Sequence, residues 1–107
     1  MARRLLEIAS NSVASALAAQ AGGADRIELF DNLAEGGTTP SYGSIAVARE
    51  RLRIPLFVLI RARPGDFHYG ALEAEIMLRD IAHCHCSICR RVSGGIVTTW
   101  ITVPASS

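Results

Sequence analysis

Three cysteines are the most reactive side chains of this 107-residue chain, and they lie within six positions of one another. Cys84, Cys86 and Cys89 occupy the stretch HCHCSICRR, and their number is odd. An odd, clustered set of thiols does not suit a disulfide framework, which belongs to oxidising compartments. In a reducing compartment the same pattern favours metal binding or thiol chemistry, so this stretch is the first candidate for function.

Four charged residues form the second candidate. The segments LEIA and IELF each carry a glutamate between apolar residues, which predicts that Glu7 and Glu28 lie at comparable depth in adjacent parallel strands. Arg61 falls late in a third apolar run, and Asp66 follows it. Ligands of parallel α/β folds bind at the carboxyl ends of strands, so these groups could orient a small polar ligand, with a glutamate as acid or base. A structural ion network would use the same residues, and the spacing alone favours that interpretation.

A glycine-rich loop, EGGTTPSYG, follows the second apolar run. Gly36 and Gly37 permit a backbone with φ > 0, and a helix start just beyond them would let the loop hold an anion. The loop matches neither the dinucleotide-binding motif nor the Walker motif. A plain strand-to-helix connection is the favoured interpretation.

Alternating strand-like and helix-like segments must position these groups. Short apolar runs predict buried strands, and apolar residues at i, i+3 and i+4 spacing predict amphipathic helices between them. Asn11 or Ser12 is the expected cap of the first helix, and Ser44 is the expected cap of the second. The predicted strands cover residues 4–10, 25–31 and 54–63, and the predicted helices cover about 13–21, 45–52 and 71–82.

The βαβαβα order predicts an α/β fold with a parallel sheet, right-handed crossovers and helices packed on the sheet. After Ala82 the periodicity is lost until the run IVTTWITVP, which predicts a strand. We therefore divide the chain into an α/β domain, residues 1–82, and a cysteine loop and strand, residues 83–107, that is not an independent domain. An unclosed parallel sheet exposes edge groups, which predicts self-association unless the last strand covers an edge.

Charge and hydropathy limit the partners. Eleven basic and ten acidic side chains give a net charge of +1, which offers no electrostatic footprint for nucleic acid or an anionic membrane. No apolar run reaches the roughly 18–20 residues that span a bilayer, and Glu7 interrupts the short apolar run at the start. These features predict a cytoplasmic protein with neither nucleic acid nor membrane as a partner.

Most of the chain resembles the N-terminal part of the CutC copper-homeostasis family. The resemblance rests on LEI, GADRIEL, EGGTTPS and IRARPGDF, and it covers about residues 3–81. CutC proteins are cytosolic TIM barrels, so the resemblance implies the first three βα units of such a barrel, with Glu7, Glu28, Arg61 and Asp66 at conserved polar positions of its mouth. A full (β/α)₈ barrel takes about 250 residues, so the chain is expected to be a truncated form.

Two departures from that family bear on copper. Members often carry cysteine after LEI and after the second strand, whereas this chain has Ala9, Ser10 and Phe30 there. Because soft copper ions prefer thiolate or thioether ligands, any thiol site at those strand ends is lost.

The cysteine stretch resembles a different family, the glutathione-dependent formaldehyde-activating (GFA-like) zinc proteins. The shared signature is C-H-C-x-x-C-R-R, a small-residue turn and a strand ending in TVP, over about residues 83–104. The resemblance implies that Cys84, Cys86 and Cys89 bind zinc, with His83, His85, water or a second chain as the fourth ligand. On a loop, the C-x-C and C-x-x-C spacings would let thiolates converge at about 2.3 Å from the ion.

Three functions are therefore open. The leading one is a CutC-like cytosolic protein associated with copper homeostasis, which binds a metal ion (copper or zinc) or a small polar ligand. The alternative is a remnant of a GFA-like zinc-dependent carbon–sulfur lyase acting on a glutathione adduct. The third is a non-functional fragment that folds only by association. Metal titration separates the first two from the third.

Overall fold

The computed structural model describes residues 4–84 and 102–105, which form a four-stranded sheet and three α-helices. The strands are β1 (Glu7–Ser10), β2 (Arg26–Leu29), β3 (Leu56–Leu59) and β4 (Thr102–Pro104). The helices are α1 (Val13–Ala21), α2 (Tyr42–Arg51) and α3 (Ala71–Cys84), with a single 3₁₀ turn at Leu33–Glu35. Among these residues no helix is long and apolar enough to cross a membrane.

The sheet has the order β1-β2-β3-β4. β1 pairs with β2 and β2 pairs with β3 in parallel, which confirms the predicted α/β fold with a parallel sheet. β4 runs antiparallel to β3 and covers its outer edge, with Val103 opposite Val58. The backbone amide of Ala105 extends this pairing by donating to the carbonyl of Leu56 at 2.8 Å.

One face of the sheet carries the hydrophobic core. Successive side chains of a strand point to opposite faces, so Ile27 and Leu29 of β2 share a face with Leu56 and Val58 of β3. All four are buried in one cluster, which also contains Ala16 of α1, Ile45 and Ala48 of α2, and Met77 and Cys84 of α3. All three helices therefore pack on this face. A fully buried Leu, Ile or Val side chain adds about 1.5–3 kcal/mol relative to exposure, so this packing stabilises helices of 9 to 14 residues.

The opposite face of the sheet carries both charged and apolar side chains. They are Glu7 and Ala9 of β1, Arg26 and Glu28 of β2, and Phe57 and the fully buried Leu59 of β3. Arg26 Nε forms an ion pair with Glu7 Oε2 at 2.5 Å, and its guanidinium carbon lies 5.2 Å from the centre of the Phe57 ring. On this face the Glu7–Arg26 ion pair therefore lies over the Phe57 ring.

The helix ends agree in part with the sequence-based expectations. Ser12, one of the two expected residues, caps α1 through its Oγ, which accepts from the Ser15 amide at 3.0 Å. The prediction of Ser44 as the cap of α2 is wrong. Ser41 is the cap, because its backbone is extended and its Oγ accepts the Ser44 amide at 3.1 Å, so Ser44 already belongs to the first turn.

α3 ends later than predicted. It continues through His83 to Cys84, two residues beyond the expected end at Ala82. The proposed boundary between residues 82 and 83 therefore falls inside a helix, and the division into two segments stays a prediction.

Candidate functional site

The register of β1 and β2 separates the two predicted glutamates. Glu7 lies opposite Arg26, whereas Glu28 lies opposite Ala9. The two carboxylates are therefore offset by two residues, about 7 Å along the strands. The prediction of comparable depth is wrong, because the repeated apolar-Glu-apolar pattern does not set the register. Pairing Glu7 with Arg26 gives the carboxylate an opposite charge on the neighbouring strand.

Glu7 and Arg61 lie at opposite ends of the sheet. Glu7 is the first residue of β1, at its amino end, and is level with Pro55 just before β3. Arg61 lies six residues beyond Pro55, about 20 Å at the usual 3.3 Å rise per residue. The expected cluster of Glu7 with Arg61 is therefore wrong. Glu28 is half-buried on the face of the sheet opposite the helices.

Arg61 holds two loops together at the carboxyl end of the sheet. It is 7% exposed, and its Nη1 donates to the carbonyls of Glu35 at 3.0 Å and Gly37 at 2.8 Å. Its Nη2 donates to the carbonyl of Gly65 at 2.9 Å, and the guanidinium lies over the Phe67 ring, 5.1 Å from the centre. The guanidinium therefore joins the loop after β2 to the loop after β3. It serves as a positioning group, and its Nη atoms are already engaged by backbone carbonyls.

The backbone of Arg61 strengthens the same connection. Its amide donates to Thr39 Oγ1 at 2.8 Å, and its carbonyl accepts from both the Thr39 amide and the Thr39 hydroxyl at 3.1 Å. The loop before Thr39 needs glycine: Gly36 and Gly37 have φ of +83° and +100°, and a Cβ at Gly36 would lie 3.4 Å from Arg61 Nη1. The amides of both glycines donate within the loop, and the Gly37 carbonyl accepts from Arg61. The loop therefore binds a guanidinium of its own chain, in keeping with a plain connection and not an anion cradle.

Asp66 serves the loop between β3 and α3. Its Oδ1 accepts from the His68 amide and from Arg63 Nη2, both at 3.1 Å. These two contacts, with the His68 amide the larger cause, hold the pKa of the Asp66 carboxyl below its usual value. Arg63 also pairs with Glu73 at 2.6 Å, which ties the loop to the first turn of α3. The exposed Asp66 therefore fixes the shape of the loop between β3 and α3.

A cavity of about 410 Å³ opens beside these loops, between the start of α2 and the side of α3. Its size falls within the range of about 300–1,000 Å³ that small-molecule sites occupy. Of the four predicted charged residues, only Arg61 lines it. The other lining residues are Asn32, Thr38, Thr39, Pro40, Ser41, Tyr42, Ala62, Arg63, Pro64, Ile76 and Asp80.

Asp80 is the carboxylate of this cavity that sequence reasoning missed. It lies on α3, half-buried, and burial raises the pKa of its carboxyl above the usual value. Tyr42, on the opposite wall, stacks its ring on His83 with the ring centres 3.8 Å apart. One sequence signal was available. Asp80 lies four residues after Ile76, so both residues are on the same side of α3, away from its buried residues Ala74 and Met77. Only the packing of α2 beside α3 brings Asp80 and Tyr42 into one cavity.

The cysteine stretch begins inside α3. Cys84 is fully buried in the helix-side core, and burial raises the pKa of its thiol to about 11. The expectation that Cys84 lies on a loop is wrong, because α3 continues to it and packs it against α2 and the sheet. Cys86, Cys89 and His85 lie outside the described residues. Within residues 4–84 and 102–105, no group of three His, Cys, Asp or Glu side chains is placed to hold a metal ion.

Comparison with known proteins identifies the family. The model of the CutC family matches residues 4–104, nearly the whole chain. The chain belongs to the CutC family. A CutC family protein from Xanthomonas axonopodis pv. citri is 65% identical over 79 residues, which is 74% of this chain and 33% of the relative. A CutC family protein from Chromobacterium violaceum is 58% identical over 81 residues, again 33% of the relative.

A solved CutC structure supports the same assignment. The crystal structure of a Streptococcus agalactiae protein named as a copper homeostasis protein CutC matches with a TM-score of 0.70 and 40% identity. The match covers 76% of this chain and 40% of that one. The chain thus spans about a third of the length of the curated CutC relatives that it matches. The predicted CutC resemblance is confirmed, whereas the GFA-like resemblance of the cysteine stretch stays a prediction.

Proposed function

We propose that this chain takes part in copper homeostasis in the cytoplasm as a CutC-family binding protein. The observation that carries the proposal is the match of its sheet and helices to the Streptococcus agalactiae protein, which is named for copper homeostasis. The chain corresponds to about a third of each full-length relative, so this role is attributed to it by family membership.

The cavity between α2 and α3 is the proposed site for a small polar ligand. Asn32 and Thr38 offer groups that donate and accept hydrogen bonds, while Asp80 offers an acceptor or, when protonated, a donor. Arg61 acts indirectly, because its bonds to the carbonyls of both loops fix the walls of the cavity. A ligand with several hydroxyl or amide groups suits this lining.

The metal ion is proposed to bind at the cysteines. Thiolates are the preferred ligands of copper(I), and they also suit zinc, so one thiophilic ion is expected. The described residues do not form such a site by themselves. Cys84 would have to leave the core and lose its proton, which its raised pKa opposes. Binding is therefore expected to depend chiefly on Cys86 and Cys89, and to strengthen as pH rises and thiols deprotonate. No described residue favours the lyase alternative, and it is not proposed.

A competition titration tests the metal proposal. Reduced protein would be titrated with copper(I) against a chromophoric copper(I) chelator, under anaerobic conditions. Wild-type protein is expected to take up about one ion, and Cys86→Ser is expected to lose at least about tenfold in affinity, because one of the few thiolate ligands is removed. Cys84→Ser is the matched control and is expected to change affinity less than Cys86→Ser. Equal copper uptake by the wild type and Cys86→Ser would refute the site.

A further inference from the structure

The walls of the cavity between α2 and α3 come from two consecutive strand–helix units. All of the residues that line it lie between Asn32 and Asp80, so neither β1 nor β4 contributes to it. Three of the lining residues carry a charged group, namely Arg61, Arg63 and Asp80. The chemical class of the ligand therefore depends on which of these three groups can still bind one.

Neither guanidinium has a donor to offer. Arg63 makes five contacts as a donor, two with the carboxylates of Asp66 and Glu73 and three with backbone carbonyls. A guanidinium has about five N–H groups, so none is left for a ligand, and the two carboxylates balance its charge. The Nη atoms of Arg61 are engaged by three backbone carbonyls, and its Nε is buried.

Asp80 differs from the two arginines because its carboxylate has no donor. Among the residues that the structure describes, none forms a hydrogen bond or an ion pair with this carboxylate. Burial raises the pKa of the Asp80 carboxyl, and the charge of His83 offsets this only in part. A half-buried carboxylate loses hydration that a partner can replace. A ligand with a positive charge and N–H donors would supply that partner.

The rest of the lining favours an organic cation over a metal ion. Within residues 4–84 and 102–105 no three His, Cys, Asp or Glu side chains are placed to hold a metal ion, and Asp80 is the only carboxylate of the lining. The Tyr42 ring belongs to the same lining, and aromatic rings attract ammonium groups. The side chains of Asn32 and Thr38 form no hydrogen bond with another described residue, so they can bind hydroxyl groups.

We propose that this cavity binds a small organic cation with a primary ammonium group and several hydroxyl groups, and that its ammonium donates to the Asp80 carboxylate. This rests on the proposed use of the cavity as a site for a small polar ligand. The hydroxyl groups bind Asn32 and Thr38, on the loop that Arg61 fixes. The volume of about 410 Å³ accommodates a ligand with the size of a sugar alcohol.

An NMR titration that follows the backbone amides tests this proposal, in reducing buffer with a chelator so that no metal binds at the cysteines. The probes are glucamine, an alkyl ammonium at neutral pH, and sorbitol, which has a hydroxyl in place of the ammonium. Glucamine should shift the amides of Thr38, Tyr42 and Asp80. It should bind at least about tenfold more tightly than sorbitol, because a hydrogen bond between two charged groups replaces a weaker one. Gluconate, which carries a negative charge, should bind least.

Two variants separate Asp80 from the general charge of α3. Asp80→Asn keeps the shape of the side chain and should lower the affinity for glucamine at least about tenfold, with sorbitol binding unchanged. Glu75→Gln is the matched control, because it removes an exposed carboxylate of α3 outside the cavity. An Asp80→Asn variant that keeps its affinity for glucamine, or a Glu75→Gln variant that loses as much, contradicts the proposal.

The probes also distinguish failure of this inference from failure of the proposed site. If sorbitol binds in the cavity as tightly as glucamine, or gluconate binds more tightly, the cavity remains a site for polar ligands and the preference for an ammonium is wrong. If none of the three probes shifts the amides of the lining residues, both the preference and the site are wrong. These comparisons use the wild type and need no variant to fold.

Discussion

Replacing Arg61 by methionine should destabilise the protein strongly, although Arg61 lies in a loop between β3 and α3. The substitution keeps the unbranched aliphatic part of the side chain and removes the guanidinium. Three hydrogen bonds to the carbonyls of Glu35, Gly37 and Gly65 are lost, together with the contact to Phe67. The hydrogen bonds between Thr39 and the backbone of residue 61 would remain between the loops after β2 and β3.

The expected loss is about 2–4 kcal/mol. Each hydrogen bond from a charged donor contributes about 1.5–3 kcal/mol. Glu35 and Gly65 are exposed, so water can replace the guanidinium at their carbonyls, but Gly37 is buried and its carbonyl would stay unpaired. Removing the buried charge recovers part of its desolvation cost, and the Arg61 Nε has no acceptor among the described residues. For a domain of this size the melting temperature should fall by roughly 10–25 °C.

Urea unfolding followed by circular dichroism measures this change. Arg79→Met is the matched control, because Arg79 is exposed and forms one surface pair with Glu75 at 3.0 Å. Surface pairs of this kind contribute about 0.3–0.5 kcal/mol. If Arg61→Met costs no more than Arg79→Met, then Arg61 does not hold the loops. A large loss with an unchanged m-value supports the account, since the extent of unfolding is then the same.

Three further outcomes are expected. Ser41→Ala should cost about 1 kcal/mol in urea unfolding, and Ser44→Ala less, because Ser41 caps α2; the reverse order would contradict the observed cap. Gly36→Ala should cost about 1–2 kcal/mol, because φ at this position is +83°; an unchanged unfolding midpoint would contradict this reading. The contribution of Cys84 to the free energy of unfolding should be constant below about pH 9 and fall from pH 9 to about 11, because the Cys84 pKa is raised in the folded state and the unfolded chain releases the proton first. Cys84→Ala should abolish that dependence, and a wild-type-like slope in this variant would assign the loss to other groups.

The core of the fold could be predicted from the sequence because it depends on local periodicity. Ile27 and Leu29 lie in a short apolar run, as do Leu56 and Val58, and such runs separated by amphipathic segments favour a parallel sheet. The spacing of apolar residues also identified α3, whose buried Met77 lies on the predicted stripe. These features follow from which side chains avoid water, and that is visible in one segment at a time.

The register and the site depended on contacts between segments. The repeated LEIA and IELF patterns suggested one alignment of β1 and β2, but the Glu7–Arg26 pair belongs to another. Arg61 was identified as a site residue from its place late in the third predicted strand. Its actual partners are carbonyls of loops that positive-φ glycines bring close to it, and no local pattern encodes that approach. Asp80 was missed because its cavity exists only where α2 packs beside α3.

The cysteine stretch illustrates a conflict between a motif and its surroundings. The spacing of Cys84, Cys86 and Cys89 suits a metal ion when all three are on a loop. The helical sequence before it continues to Cys84, and the core buries that thiol. The spacing of cysteines in a motif does not show which of them will be buried in the hydrophobic core.

The metal content of the protein, purified under reducing conditions from cells grown without added metal, tests the proposed role in copper homeostasis most directly. Elemental analysis of the wild type should find copper, approaching one ion per chain, and Cys86→Ser prepared in parallel should lose most of it. Copper bound equally by both proteins, zinc in its place, or a metal-free wild type would contradict a copper-binding role for this CutC-family chain.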